Sequence, residues 1–104
     1  MKTFKFGNTT VFLHKNDLPV SIKFPKEVAI DSETTGLNLV RDRLCLLQIG
    51  FSRNECHMIK FDKEFFEKKN NSKNLLSLFQ DKDILKVFHF ARFDLSMIRK
   101  SFGI

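Results

Sequence analysis

Four short apolar segments constrain the fold of this chain more than any other feature. They occupy residues 28–31, 44–50, 56–61 and 84–88. Apolar runs of this length without a helical period are typical of strands buried in a sheet. The sequence therefore predicts four buried strands.

Two segments have the apolar spacing of helices. The first, Lys73–Gln80, follows Asn71 and Ser72, either of which can act as its N-cap. The second, Ala91–Phe102, is followed by Gly103, the residue type that most often ends a helix in a left-handed conformation. The apolar face of the first helix is predicted to consist of Leu75, Leu76 and Phe79.

A β-hairpin is predicted at the start of the chain. Residues 3–14 alternate apolar and polar side chains on either side of Gly7 and Asn8, and such a pair between alternating segments favours a tight turn. The resulting order is hairpin, three strands, helix, strand, helix. This order predicts an α/β fold with a mixed sheet and one crossover.

Length and composition limit the class of protein. The chain has 104 residues, of which 42% are hydrophobic and 29% charged, and this is enough for one small soluble domain. The N-terminus has no signal-peptide pattern, and no apolar stretch approaches the roughly 20 residues of a membrane span. We therefore expect a cytoplasmic protein without a membrane partner. The net charge of +6 favours a polyanionic partner such as nucleic acid.

The cysteines and two of the histidines are not spaced like the ligands of a metal site. Cys45 and Cys56 are not part of a CxxC pair, so we expect free thiols and no zinc site. His14 and His57 have no neighbour at metal-ligand spacing. We expect both to be ordinary polar or half-buried residues.

Two acids follow the first buried strand. Asp31 and Glu33 are two positions apart in VAIDSETTGL, so on a strand they point to the same face, about 6.5 Å apart. Two carboxylates this close repel each other unless a cation lies between them, and oxygen ligands of this type suit Mg²⁺ or Mn²⁺. The alternative is a solvated strand end without a metal.

A third acid lies in the last predicted helix. Asp94 falls on the helix face that also carries the apolar residues expected to pack on the sheet, and a carboxylate there needs a partner. It can form a salt bridge to Arg92 or Arg99, or it can share the cations of the first two acids. Carboxylates from separate elements are what a two-metal phosphodiesterase site requires. The expected face consists of Ala91, Asp94, Leu95, Ile98 and Phe102.

The segments AIDSETTGL and HFARFDL, with Asp31 and Asp94 63 positions apart, resemble the first and second motifs of the DEDD family of 3′-5′ exonucleases. Together with DRLCLLQIG and LHKNDLP they are most similar to the ribonuclease D branch. The resemblance extends from about residue 13 to 104. It implies a ribonuclease H-like fold and a hydrolase that removes nucleotides from the 3′ end of a single-stranded nucleic acid, with RNA favoured over DNA and the choice between them left open by the sequence.

The resemblance also implies roles for individual residues. Asp31, Glu33 and Asp94 would be the catalytic ligands of two Mg²⁺ or Mn²⁺ ions. Thr34, Gly36 and Leu37 would contact the terminal nucleotide, with Leu37 as an apolar wedge, and His89 and Phe93 would line the same cleft.

Two departures from the family pattern affect these expectations. Phe90 stands where proofreading relatives commonly have Asn, which fits the ribonuclease D branch better. The family's third motif, an Asp preceded by Tyr or His, would lie downstream of Ile104, and the chain contains no Tyr. HFARFD has the His-x4-Asp spacing of that motif, but it lies on the first helix after the fourth strand.

The chain is therefore expected to be a single, incomplete exonuclease domain covering residues 1–104, truncated after its second main helix. It would act alone or as one part of a split enzyme. The alternative is an inactive nucleic-acid-binding or interaction fragment. The absent strand and helices would leave a sheet edge open, which predicts self-association or a C-terminal partner on another chain.

Overall fold

The computed structural model describes residues 2–36, 38, 41–67, 72–88 and 91–103, apart from the side chains of residues 67 and 91–94. Six strands and three helices occur in these ranges. In chain order they are β1 (Lys2–Phe6), β2 (Thr9–Lys15), β3 (Glu27–Thr34), β4 (Leu44–Ser52), β5 (Glu55–Lys60), α1 (Lys63–Glu67), α2 (Lys73–Gln80), β6 (Leu85–Phe88) and α3 (Ala91–Phe102).

The six strands form one mixed sheet in the order β1-β2-β5-β4-β3-β6. β1 and β2 are antiparallel, as are β4 with β5 and β3 with β4. β6 is parallel to β3, which requires a long crossover, and α1 and α2 lie in that connection. The predicted mixed-sheet α/β architecture is confirmed, and β3 is an internal strand with a hydrogen-bonded neighbour on each side.

The predicted hairpin is present. Phe6 pairs with Thr9, so Gly7 and Asn8 form a two-residue loop. Gly7 has φ +60°, and glycine at the first central position is typical of the type II′ turn, whose twist matches that of the flanking strands.

The core lies between one face of the sheet and the helices. Along β3, Val28 and Ile30 are buried, while Ala29, Asp31 and Glu33 are exposed. This period-two pattern shows that the described helices cover only one sheet face, and the acids lie on the other. The buried cluster includes Leu44, Leu47, Ile49, Ile59 and Phe61 from β4, β5 and the start of the crossover, Leu75 and Leu78 from α2, and Met97, Ile98 and Phe102 from α3.

The capping of α2 differs from the prediction. The helix has its predicted bounds, but the Ser72 side chain makes no capping hydrogen bond and donates instead to the carbonyl of Asn16. The cap is Asp17, whose carboxylate accepts hydrogen bonds from the backbone N–H of Asn74 (3.1 Å) and Leu75 (2.9 Å). The other predicted cap, Asn71, lies outside the described residues. A carboxylate from the loop after β2 thus satisfies the N–H groups that a local cap usually satisfies.

The helix faces also differ in part from the prediction. On α2, Leu75 is buried together with Leu78, which the prediction omitted, and Leu76 and Phe79 pack against this core more peripherally. The short helix α1 was not predicted, because its five residues are too few to show a period.

The helix α3 has its predicted bounds. Gly103 follows it with φ +71°, and its N–H donates to the carbonyl of Arg99. The predicted face is wrong at Leu95, which is 43% exposed, whereas Met97 is fully buried beside Ile98. The buried stripe is therefore rotated toward Met97. Among the described residues, no helix is long and apolar enough to cross a membrane.

Candidate active site

Asp31 and Glu33 project from the uncovered face of β3. They are separated by Ser32, whose backbone N–H donates to Asp31 Oδ1 at 3.0 Å. Both side chains are exposed, and neither forms a salt bridge with a residue that the structure describes. Two such carboxylates on one rigid strand form a pair of oxygen donors open to solvent, which fits a hard divalent cation.

A shallow concavity of about 300 Å³ lies beside Asp31. Its floor is formed by Ala29 on β3 and Gly50 on β4, which are paired in the sheet, and Val87 of β6 borders it. The small side chains at the centre of this floor leave room for a ligand next to the carboxylate.

The segment after Glu33 leaves the sheet through an irregularity. Glu33 pairs with Leu46 and Thr34 with Leu44, so one residue of β4 is skipped between them. Thr34 Oγ1 then donates to the carbonyl of Gly36 at 2.5 Å. Bulges of this kind are common next to active sites, because they redirect the strand.

Asp42 organises this segment, a role that was not predicted from the sequence. Its side chain is 7% exposed and accepts hydrogen bonds from the backbone N–H of Asn38 (2.9 Å), from Thr35 Oγ1 (3.2 Å) and from Arg41 Nε and Nη2 (3.2 and 3.1 Å). The hydrogen bond from Arg41, with that from the Asn38 backbone, lowers the pKa of Asp42 to about 2. The sequence signal was an acid between two arginines just before a buried strand.

Asp42 also explains why residue 36 is glycine. A Cβ built on Gly36 would lie 2.4 Å from Asp42 Oδ2, closer than real Cβ contacts come, so one of the two groups would have to shift. The resemblance implied a contact of Gly36 with nucleotide, and the structure adds a steric requirement within the protein itself.

The same aspartate links the segment to the last helix. Lys100 Nζ on α3 donates to the backbone carbonyl of Asp42 at 2.6 Å. The segment that follows the acid pair is therefore held against the helix that carries Asp94.

The position of Asp94 follows from the topology. β6 runs parallel to β3 with Phe88 paired to Ile30, and α3 begins three residues later at Ala91. The first turn of α3, which contains Asp94, therefore starts from the same end of the sheet as Asp31 and Glu33. The side chains of Asp94 and Phe93 lie outside the described part of the chain, as do Leu37 and His89.

The structure thus brings together Asp31, Glu33, Thr34 and Gly36 at one end of β3. Within the described ranges, no group of three His, Cys, Asp or Glu side chains is arranged to hold a metal ion. The described part of the candidate site therefore contains two exposed carboxylates, those of Asp31 and Glu33.

His14 and His57 lie on β2 and β5, away from this pair. Both are buried rather than half-buried, and His14 Nε2 lies 2.9 Å from His57 Nδ1, while His57 Nε2 lies 2.6 Å from Glu55 Oε2. Burial, followed by the proximity of His57, lowers the pKa of His14. Cys45 and Cys56 are free thiols.

An internal strand that carries two acids on its open face, in a six-stranded mixed sheet of this order, fits the ribonuclease H-like class of nucleases. The comparisons agree with this class. A family model for 3′-5′ exonucleases matches residues 14–104. The chain belongs to this family of DEDD 3′-5′ exonucleases, as its motifs predicted.

Solved structures of the family resemble the chain closely. NrnC from Brucella melitensis bound to pGG is 39% identical, with a TM-score of 0.80 over 92% of this chain and 46% of NrnC. NrnC with bound Mg²⁺ is also 39% identical, with a TM-score of 0.77 over 89% of this chain and 45% of NrnC. The catalytic core of RRP6 from Trypanosoma brucei is 26% identical, with a TM-score of 0.58 over 76% of this chain and 21% of that core. The chain thus spans less than half the length of these structures. A search of curated proteins found no match.

Proposed function

We propose that this chain carries part or all of a 3′-5′ exonuclease that removes nucleotides from the 3′ end of single-stranded RNA. The observation that carries the proposal is the pair of exposed carboxylates, Asp31 and Glu33, on an internal strand of a ribonuclease H-like sheet. The family match and the likeness to NrnC and RRP6 support hydrolysis of nucleic acid.

The proposed cofactor is Mg²⁺ or Mn²⁺, held by Asp31, Glu33 and Asp94. Two such ions would neutralise the scissile phosphate and lower the pKa of the attacking water. The residues present fit these ions, because Asp31 and Glu33 offer carboxylate oxygens that form no salt bridge with a described Lys, Arg or His side chain. The NrnC structure with bound Mg²⁺ supports the choice of metal.

The chain's own residues would hold the 3′ end of the nucleic acid. Asp31 and Glu33 would hold the ions from a strand that cannot shift, since it is paired on both sides. Thr34 and Gly36, in the segment anchored by Asp42, would provide the surface for the terminal nucleotide, with Leu37, His89 and Phe93 completing the cleft as the family resemblance implies.

The test is binding and hydrolysis by matched variants. Mn²⁺ binding is measured by calorimetry, and cleavage with a 5′-labelled single-stranded RNA, in wild type, Asp31→Asn and Glu33→Gln. Asp83→Asn is the control, because Asp83 is exposed in the turn before β6, at the other end of β3. We expect both site variants to lose metal binding and cleavage, and the control to keep them.

Two results would decide against parts of this proposal. Equal Mn²⁺ binding by wild type and Asp31→Asn would remove the metal site. Metal binding without any cleavage would favour the alternative of an inactive nucleic-acid-binding fragment, and the addition of a segment that carries the third motif would then show whether a split enzyme can be restored.

The edge strand β6 supports a proposal about partners. Leu85 is 61% and Val87 42% exposed, and β6 pairs only with β3 among the described strands. An apolar edge of this kind pairs readily with another chain. We expect self-association or binding of a C-terminal partner chain, measured by light scattering after size exclusion. Val87→Lys should shift the population to monomer, and a wild-type monomer at all concentrations would refute this.

A further inference from the structure

The open face of the sheet carries lysines as well as the acid pair. Glu33 on β3 pairs with Leu46 on β4, which pairs with Lys60 on β5. Lys60 in turn pairs with Lys15 on β2. Paired residues point to the same face of a sheet, and both lysines are exposed whereas the residue before each of them is buried. At a strand spacing of about 4.8 Å, the backbone of Lys60 lies about 9.6 Å and that of Lys15 about 14 Å from Glu33.

A second row of paired residues on this face also ends at a lysine. It consists of Asp31, Gln48, Met58, Leu13 and Lys2. Lys2 is exposed, and its backbone lies four strand spacings, or about 19 Å, from that of Asp31. The acids therefore occupy one side of this sheet end and the lysines the other, with half-buried apolar side chains between them.

The charge of these lysines exceeds what the described part of the chain neutralises. Lys15 and Lys60 are directly paired, and like charges in such positions destabilise a sheet. Asp62 compensates in part, since its carboxylate lies 3.1 Å from Lys15 Nζ, and that hydrogen bond and, to a smaller extent, the charge of Lys60 lower its pKa. Lys2 and Lys60 form no salt bridge with an acid that the structure describes. Their ammonium groups, with three N–H donors each, are therefore open to an anion.

A concavity of about 700 Å³ lies where β2 and β5 end, and all three lysines contribute to its lining. Its described acids are Asp17 and Asp62, so the lining carries a net charge of +1 with His14 neutral. The Asp17 carboxylate already accepts hydrogen bonds from three backbone N–H groups, two of them at the start of α2. Both acids are thus engaged within the protein, and the exposed lysines give the concavity its attraction for a polyanion.

We propose that Lys2, Lys15 and Lys60, the lysine cluster, bind backbone phosphates of single-stranded RNA on the 5′ side of the nucleotide being removed. The inference rests on the proposed function, which places the 3′ end at the acid pair. At about 3.4 Å per phosphate along a stacked strand, RNA that crosses the open face reaches Lys60 within about three nucleotides and Lys2 within about six. The apolar side chains between the acids and the lysines offer a surface for its bases.

The test is metal-free binding of a labelled ten-nucleotide single-stranded RNA, measured by fluorescence anisotropy in EDTA across a range of salt concentrations. The variants are Lys2→Gln, Lys60→Gln and the double variant, all at exposed positions, with folding checked by circular dichroism. Lys5→Gln is the matched control, because Lys5 is exposed on the same strand as Lys2 but three positions along it, and therefore on the other face. Lys82→Gln, in the turn before β6 at the opposite end of the sheet, is the second control.

We expect each cluster variant to weaken binding and to reduce the slope of log K against log salt by about 0.7, the value for one phosphate contact on a single strand. The double variant should lose about twice that slope, and both controls should keep it. Unchanged slopes in the cluster variants, equal losses in the controls, or no binding by wild type would overturn the proposal. Displacement of the RNA by ten-residue polyglutamate as readily as by unlabelled RNA would assign the lysines to an acidic protein segment instead, and would overturn it as well.

Cleavage measurements separate the lysine cluster from the hydrolytic function. Binding that depends on the cluster but is not followed by cleavage keeps the cluster and refutes the proposed hydrolysis. If the ten-nucleotide RNA is cleaved with the same KM by wild type and by the double variant, the cluster is refuted and the hydrolysis stands. A dinucleotide without a 5′ phosphate contains only the scissile phosphate, so we expect the double variant to raise KM for the longer RNA and to leave KM for the dinucleotide unchanged.

Discussion

Replacing Gly36 by alanine should destabilise the fold through one identified contact. The added Cβ would lie 2.4 Å from Asp42 Oδ2, whereas ordinary contacts begin at 3.4 Å, so the two atoms must separate by about 1 Å. Oδ2 accepts from the Asn38 N–H at 2.9 Å and from Arg41 Nη2 at 3.1 Å, and a displacement of that size breaks hydrogen bonds. The side chain cannot simply swing away, since its other oxygen is held by Thr35 and Arg41.

The expected magnitude follows from two opposing effects. Overpacking of this kind costs about 1–3 kcal/mol. The lower entropy of alanine in the unfolded chain offsets about 0.4–1 kcal/mol of this cost. The net loss therefore lies between about 0 and 2.6 kcal/mol and is centred near about 1.3 kcal/mol, which in a domain of this size lowers Tm by about 5–10 °C.

The assay is thermal and urea unfolding followed by circular dichroism. Gly50→Ala is the matched control, because its Cβ would lie 3.8 Å from the Cβ of Ala29, an ordinary contact. We expect Gly50→Ala to be neutral or slightly stabilising. In an Asp42→Ala background, Gly36→Ala should cost nothing further, since the opposing carboxylate is absent. Equal costs of Gly36→Ala in both backgrounds, or equal effects of the two glycine variants, would refute the steric argument.

Two further predictions concern one buried and one half-buried polar side chain, His14 and Asp17. The pKa of His14 is lowered in the folded state by burial and by His57, so the folded chain binds a proton less readily than the unfolded chain. Stability should be fully present above pH 6.5 and fall as the pH drops through this value, and His14→Gln should flatten the change in urea midpoints between pH 8 and pH 5.5. Asp17→Ala should lower stability by about 0.5–2 kcal/mol through loss of the α2 cap. Asp83→Ala, an exposed control, should change it little, and equal losses in both would show that Asp17 does not cap the helix.

The order of elements was predictable because it depends on local patterns. The period of apolar residues located β3, β4, β5, α2, β6 and α3 within a few residues, and the turn chemistry of Gly7 and Gly103 located the hairpin and the end of α3. Helix α1 was missed because five residues do not establish a period.

The acid pair was predictable for the same reason. Asp31 and Glu33 share one strand, so their common face follows from the period of two without knowledge of any other element. The motifs also identified the exonuclease family. The position of Asp94 relative to them depends on the parallel pairing of β6 with β3, which the sequence only implied through the family resemblance.

The sequence by itself thus determined every described element except α1, the family, and the face that carries the two acids. The tertiary structure decided which residues that are distant in sequence contact one another. Asp17 caps a helix 58 positions away at Leu75, His14 meets His57 across 43 positions, and Lys100 holds the Asp42 carbonyl across 58. These contacts have no local period or spacing, because they form only when sheet pairing and core packing bring separate segments together.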